Sequence, residues 1–427
     1  WSLRAEGVVY TTPVPMQIYG FQGFHYTTKA GDPGRLAAPP FDQIDDRMRD
    51  ELHARSPYHF ARFTRPVPRG ADNEYEAAAF QHAKWLEDGI VARDNEPALY
   101  PYVIDAPGET RRLGLCAAID VGTPERSVLR PHEQTVEKPL EDRLALLRET
   151  RIDPEPVMLI ADDEGALERL LAEDVSSGHA FASHLDAGGR RHGVHRVTDP
   201  GRIERYKEAV AGRAATIADG HHRCRTAQLY ARESGARQGT AAATKLAVLW
   251  SLESRSLRID PIHRALRRSF DADRAAELTI DRQAVSARGG RAIADAVAAA
   301  KAPTIGVWNR GGQPELWRLD AAKAPPGTPG RPNAMPVVLL HWMVLPAAGF
   351  RAQSGIDGTI NYVDDPDALF DRVDRREVEA GFWLPPMAPS EFAAAVGQGD
   401  LLPPKSTRFL PKMISGLVWV GHDARLL

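Results

Sequence analysis

Residues 216–230, TIADGHHRCRTAQLY, leave the backbone little choice. Thr216, Ile217 and Ala218 read as the end of a short strand. Asp219-Gly220 follows as a tight turn, in which glycine tolerates a positive φ at no steric cost. A helix then starts near His221. A chain holding this segment must place a strand and a helix head to tail across two residues. The first amides of such a helix have no partner inside it, and its dipole is positive at that end, so the turn suits an anion. Gly220, His221, His222, Arg223 and Thr226 form the candidate phosphate-binding set, because Arg223 can fork onto phosphate oxygens and the histidines add donors. Asp219 can face a magnesium ion or a substrate amine. The same residues also fit a plain Asp-Gly turn with two surface histidines. Zinc is disfavoured: His221 and His222 are adjacent, and no Cys or His spacing completes a site. His192 and His195 lie three apart in a strand, point to opposite faces and read as structural.

The rest of the chain alternates between strands and helices. ALYPYVI, LGLCAAIDV, PVMLIAD, HGVHRVTD, KLAVLWSLES, TINYV and GFWLPP read as strands. Helical patterning marks DDRMRDELHAR, residues 74–89 with Gly89 as a C-cap, residues 139–150, residues 165–172 and VVLLHWMVL. This pattern predicts a mixed α/β (α+β) protein. A length of 427 residues suggests two or three domains, and the motifs divide the chain into 1–112, 113–270 and 271–427. Residues 30–44 read as an ordered loop, and residues 321–336, AAKAPPGTPGRPNAMP, as a flexible loop or linker.

A net charge of -3 argues against a nucleic-acid partner. Two cysteines are too few for a disulfide scaffold and fit a reducing compartment. No run reaches the roughly 18 apolar residues that span a membrane, and WSLRAEGVVYTT lacks the apolar core of a signal peptide. The cytoplasm is the expected compartment, and the oligomeric state is left open.

Three further motifs carry chemistry-bearing residues. LRPHEQTVEKPLEDRL sets Arg130, His132, Glu133 and Lys138 ahead of a helix. A loop carboxylate beside a phosphate site can accept the proton of a hydroxyl while the phosphoryl group moves. Glu133 fits that role. Taken alone, it fits better as a helix cap or a partner of Arg130. PPKSTRFLPK sets Lys405, Ser406, Thr407 and Lys412 among prolines, either as a phosphate or carboxylate clamp or as a solvated loop. AAPPFD presents Asp42 to a cleft or caps the next helix. A P-loop is excluded, since its Gly-x-x-x-x-Gly-Lys pattern is absent. Trp250, Trp342 and Trp383 sit in apolar runs and are expected in the core. Cys224, just past a helix start, is either a reactive thiol or a small packing residue.

The order of PHEQT, a helix, the PVMLI strand and IADGHHR opening a helix resembles the ParB/sulfiredoxin-like superfamily, and within it the free-serine kinases. The resemblance implies a nucleotide-binding core embedded in a larger chain. It implies a kinase that phosphorylates the hydroxyl of free L-serine or a related hydroxy amino acid, with ATP or ADP as donor and Mg2+ as cofactor. Carried over, Glu133, Asp219 and His221 are catalytic positions, with Glu133 the base, and Gly220, His221, His222 and Arg223 hold phosphate. AAPPFD, SPYHFARF, PHEQT with EDRL, IADGHHR and PPKSTRFLPKMISGLV together are similar to an uncharacterised bacterial and archaeal family, a domain of unknown function. Cys224, Arg225, Arg408 and Leu410 depart from its pattern. Two other activities use the same groups: phosphoester hydrolysis of phosphoserine-like compounds, and a non-catalytic ParB-like nucleotide switch. The switch would need a helix-turn-helix and a basic surface, and neither is evident.

Overall fold

The structure is a computed structural model that describes residues 16–122, 129–133, 138–176, 178, 180–286, 288–301, 303–331, 334–350, 359–397, 399 and 401–427. It is a mixed α/β protein with several sheets. Two compact units divide it. The smaller contains His132, Glu133 and Arg258–Leu410. The larger contains the remaining described residues up to Leu257, together with Pro411–Leu427.

The larger unit is built on a nine-stranded sheet. Its strands run in the order Leu129–Arg130, Ala215–Asp219, Val157–Ala161, Thr244–Ser251, Arg112–Asp120, Tyr100–Asp105, Arg191–Val194 and Ala182–Leu185, and Ile18–Tyr19 adds to Arg112–Asp120. Arg112–Asp120 and Thr244–Ser251 are buried along their whole length. They are near-continuous apolar runs because both of their faces are covered. Leu115, Ile119, Leu159 and Leu249 lead a core that takes in Leu167, Leu171, Ile203 and Tyr206 from two helices, Ala166–Ser176 and Pro200–Val210. A four-stranded sheet places Trp419–Gly421 between Gly23–Tyr26 and Ile152–Asp153, which fixes the end of the chain in this unit. Trp419 donates to His82 Nε2 at 3.0 Å and packs against Tyr26 and Phe60.

The smaller unit has a six-stranded antiparallel sheet in the order Thr279–Ala284, Glu315–Leu319, Thr304–Asn309, Ala380–Trp383, His263–Leu266 and Ile360–Val363. Gly290–Ala299 and Pro366–Asp374 cover it. The two helices touch where Gly290 has no Cβ, since one would lie 1.7 Å from the Pro366 carbonyl oxygen. Arg408–Leu410 pairs separately with Arg258–Asp260.

Most predicted elements are present. Asp46–Arg55, Glu74–Glu87, Lys138–Thr150 and Ala166–Ser176 are helices. VVLLHWMVL is helical from Pro336 to Ala347 but passes through a π turn at Leu340–Val344, just before Pro346, which has no amide to donate back. The described residues of this stretch, 321–331 and 334–336, are not a flexible loop or linker: Ala324, Thr328 and Ala334 are buried and the Thr328 hydroxyl donates to the Pro325 carbonyl. Trp250 and Trp383 are in the core, whereas Trp342 is only half-buried. Among the described residues, no helix is long and apolar enough to cross a membrane.

Candidate functional site

Strand Ala215–Asp219 ends where expected, and helix His221–Glu233 starts directly after Gly220. Gly220 has φ 94°. A Cβ there would lie 2.6 Å from Val157 Cγ1 and 3.1 Å from the Arg223 guanidinium. The position therefore requires glycine for its dihedral and for its space. Gly220 offers no side chain to cap the first helical turn. His221 and Arg223 are buried, and His222 is half-buried.

The charges at this turn are arranged around Asp219. Lys412 Nζ donates to Asp219 Oδ1 at 2.7 Å, and Arg223 Nη2 donates to Oδ2 at 2.9 Å. Burial alone would raise the Asp219 carboxyl, but Lys412 and Arg223 beside it hold it down at about 2. Burial opposes the charge on Lys412 in turn, and Asp219 and Asp42 raise its pKa above the ordinary value. Arg223 also donates through Nη1 to the Pro156 carbonyl at 2.6 Å, so its fork is turned onto the protein's own strand. The Thr226 hydroxyl donates to the His222 carbonyl at 2.8 Å within the helix. Lys412 is the cation here that keeps solvent contact, with 22% of its side chain exposed against 8% for Arg223. Asp42 is exposed in the short 3-10 turn Phe41–Gln43 and adds its field at Arg223 and Lys412. The cap of the following helix is Asp45, which accepts from Met48 N at 2.7 Å.

Behind the turn lies a network that sequence reasoning missed. Residues 153–156, DPEP, lead into strand Val157–Ala161. Glu155 is buried and accepts from the Phe41 backbone N–H at 2.9 Å. Arg143 stands 3.6 Å from the Glu155 carboxylate and 4.2 Å over the Phe41 ring. Burial raises the pKa of Glu155 even against the pull of Arg223 and Arg143. Lys245 is buried, pairs with Asp153 and donates to the Glu155 carbonyl at 2.7 Å. Residues 153–156 thus hold the Phe41-Asp42 segment through Glu155 and the Asp219 turn through Pro156. The available sequence signal was a lysine within the apolar run KLAVLWS, since a buried lysine requires a buried acid.

A second polar group is assembled within the smaller unit. His132 is fully buried, its Nε2 2.7 Å from the Thr407 hydroxyl and its ring edge-on to Phe392 and Phe409. Leu402 N donates to the His132 carbonyl at 2.8 Å. Lys405 N donates to Glu133 Oε2 at 3.1 Å. Ser406 is buried, with its hydroxyl on the Pro403 carbonyl at 2.6 Å. PHEQT and PPKST therefore meet through Glu133, His132, Lys405 and Thr407. Lys405 itself is exposed. Of the PPKSTRFLPK motif, Lys412 alone among the expected clamp residues belongs to the larger unit.

Arg130 lies on the short strand Leu129–Arg130, which pairs in parallel with Ala215–Asp219. Lys138 begins helix Lys138–Thr150, and its side chain lies outside the described residues, as do Gln134 and Thr135 of PHEQT. Cys224 is a packing residue of the core, and burial pushes its thiol up to about 12. His192 is buried against Tyr102 and Asp186. Magnesium does not fit Asp219 as an expected ligand, because both carboxylate oxygens are already held by cations. Among the described residues, no group of three or more His, Cys, Asp or Glu is placed to hold a metal.

The sequence profile of a protein family of unknown function, DUF1015, matches residues 18–321. The chain belongs to the DUF1015 family. No curated protein is significantly similar to it. Solved structures similar to it include a conserved hypothetical protein from Pyrococcus furiosus, at 14% identity and a TM-score of 0.34 over 69% of this chain and 92% of that one. A free serine kinase in complex with AMP is similar at 15% identity and a TM-score of 0.34, over 68% and 88% of the two chains. A variant of a free serine kinase in complex with ADP gives 15% identity and a TM-score of 0.35, over 73% and 96%.

Proposed function

We propose that this DUF1015 protein is a nucleotide-dependent kinase that phosphorylates the hydroxyl of free L-serine or a related hydroxy amino acid. The observation that carries the reading is the Gly220 turn. It opens a helix of 13 residues without a side-chain cap, and its neighbouring carboxylate is outnumbered by Lys412 and Arg223. Amides at a helix start and adjacent cations are what nucleotide phosphates require. In this reading Gly220, His221 and His222 supply backbone and imidazole donors, and Lys412 is the cation that reaches the phosphates. Asp219 and Arg223 position it rather than binding ligand themselves. Thr226 braces the helix.

Glu133 takes the role of base toward the acceptor hydroxyl, by resemblance to the free-serine kinases. Its carboxylate is oriented by the Lys405 amide. A carboxylate that accepts the hydroxyl proton as the phosphoryl group departs from the nucleotide leaves phosphoserine and the shortened nucleotide.

The test is product formation. The protein is incubated with ATP or ADP, magnesium and a pool of free amino acids, and phosphorus NMR reports any phosphorylated amino acid. The reading expects a phosphomonoester from a hydroxy amino acid and a loss of about 100-fold or more in Glu133→Gln, the usual scale of general-base catalysis. No product with either donor, or full activity in Glu133→Gln, overturns it.

A further inference from the structure

We infer that Arg264 is the positioning residue for Glu133, acting through one peptide group. Arg264 lies on strand His263–Leu266 and is fully buried. Burial brings its pKa down to about 10, so it stays charged at neutral pH. Among the described residues, no carboxylate lies within ion-pair distance of it. A buried cation without a close counter-ion is expensive and persists only when its N–H groups are satisfied and its charge is used.

The guanidinium is committed in a specific way. Nε donates to His341 Nε2 at 3.0 Å and Nη1 donates to the Ile262 carbonyl. Nη2 donates to the Pro404 carbonyl at 3.2 Å and to the Lys405 carbonyl at 3.0 Å. Because Nε donates to it, His341 Nε2 is an acceptor. His341 lies in the π turn Leu340–Val344, a feature often found at functional sites.

The Pro404 carbonyl and the Lys405 N–H belong to the same peptide unit. The oxygen of that unit accepts from Arg264, and its N–H donates to Glu133 Oε2 at 3.1 Å. A guanidinium on the oxygen polarises the peptide and strengthens the bond its N–H gives to a carboxylate. Glu133 is also the carboxylate whose field acts on Arg264. The arrangement has a backbone cost, since Lys405 is a non-glycine residue at φ 56°. Arg264 grips the carbonyl on each side of that residue, which keeps it in the left-handed region. Removing Arg264 frees Lys405 to relax, and the carboxylate loses the Lys405 amide as a fixed donor.

This inference rests on the reading of Glu133 as the base, and the experiment separates the two. Amide hydrogen exchange is followed at Lys405 in the wild type, Glu133→Gln, Glu133→Ala and Arg264→Lys, with the kinase assay run in parallel. Glu133→Ala changes a half-buried side chain and leaves strand His263–Leu266 unaltered, so it reports on the link if Arg264→Lys fails to fold. The expected result is faster Lys405 exchange in Glu133→Ala and Arg264→Lys, by about ten-fold or more, the change that 1.4 kcal/mol of lost protection produces. In the assay, Arg264→Lys lowers kcat with little change in KM for the nucleotide, and adds nothing in a Glu133→Gln background. Unchanged Lys405 exchange in Glu133→Ala overturns the inference. Equal losses from Arg264→Lys with and without Glu133 also overturn it. Full activity of Glu133→Gln defeats the base reading alone, and the exchange data still decide the link.

Discussion

Replacing Gly220 with alanine tests the turn at its narrowest point. At φ 94° an L-residue is strained, by about 1–2 kcal/mol. The new methyl would sit 2.6 Å from Val157 Cγ1, well inside the normal 3.5–4.0 Å carbon contact. Overpacking of that kind costs about 1–3 kcal/mol. Reduced freedom of the unfolded chain returns about 0.4–1 kcal/mol. The net loss is about 2–4 kcal/mol. At about 2–4 °C per kcal/mol for a unit of this size, the melting temperature falls by roughly 4–16 °C. Gly212→Ala is the control, because Gly212 has φ 70° with no atom within 4 Å of its added Cβ. It carries the dihedral cost without the clash. Thermal unfolding of both variants by circular dichroism gives the comparison. If Gly220→Ala melts within a degree of Gly212→Ala, the close approach of Val157 and Arg223 to the turn is not as described.

Glu155→Ala strips the Phe41 amide of its acceptor and leaves buried Arg143 and Arg223 with less counter-charge; urea unfolding is expected to show a loss of about 3–5 kcal/mol. Lys245→Met leaves Asp153 buried without its cation, and the same measurement should show a similar loss. Cys116 and Cys224 are buried with thiols raised by burial, so a thiol reagent should label neither until denaturant is added; labelling of the native protein would contradict the core packing. Stability should also depend on acid. His82, His192 and His263 are held neutral by burial at about 4, below the ordinary 6.5. The unfolded chain binds protons first, so their contribution is complete above pH 6.5 and is lost as the pH falls through about 4. Asp219 follows lower down, its contribution present above 3.8 and lost through about 2. A urea midpoint that stays flat from pH 7 to pH 4 would refute the histidine assignment.

What the sequence made legible was local. Asp219-Gly220 ahead of a helix forces its own geometry, and the apolar runs of Val157–Ala161 and Thr244–Ser251 can only be covered strands. Helix Pro200–Val210 went unpredicted although its signals were present: Asp199 caps it, Pro200 opens it, and Ile203, Tyr206 and Val210 share its buried face. The partners of each charge were not legible. Arg223 could be assigned to a phosphate because the sequence does not show that the Pro156 carbonyl and Asp219 lie within its reach. Lys412 lies 193 positions from Asp219, and Lys405 lies 272 positions from Glu133, so neither contact has a local signature. The Gly and Pro content of residues 321–336 suggested a linker because composition reports backbone freedom and not the burial of Ala324 and Ala334.

Nucleotide phosphates bound at the Gly220 turn are the central requirement of the proposed activity. Calorimetric titration of ADP into the wild type and into Lys412→Met measures this directly. Saturable binding in the wild type is expected, weakened about ten-fold or more in the variant, the scale of one lost charge-assisted hydrogen bond. A wild type that takes up no ADP, or a variant that binds it as tightly, would contradict the claim.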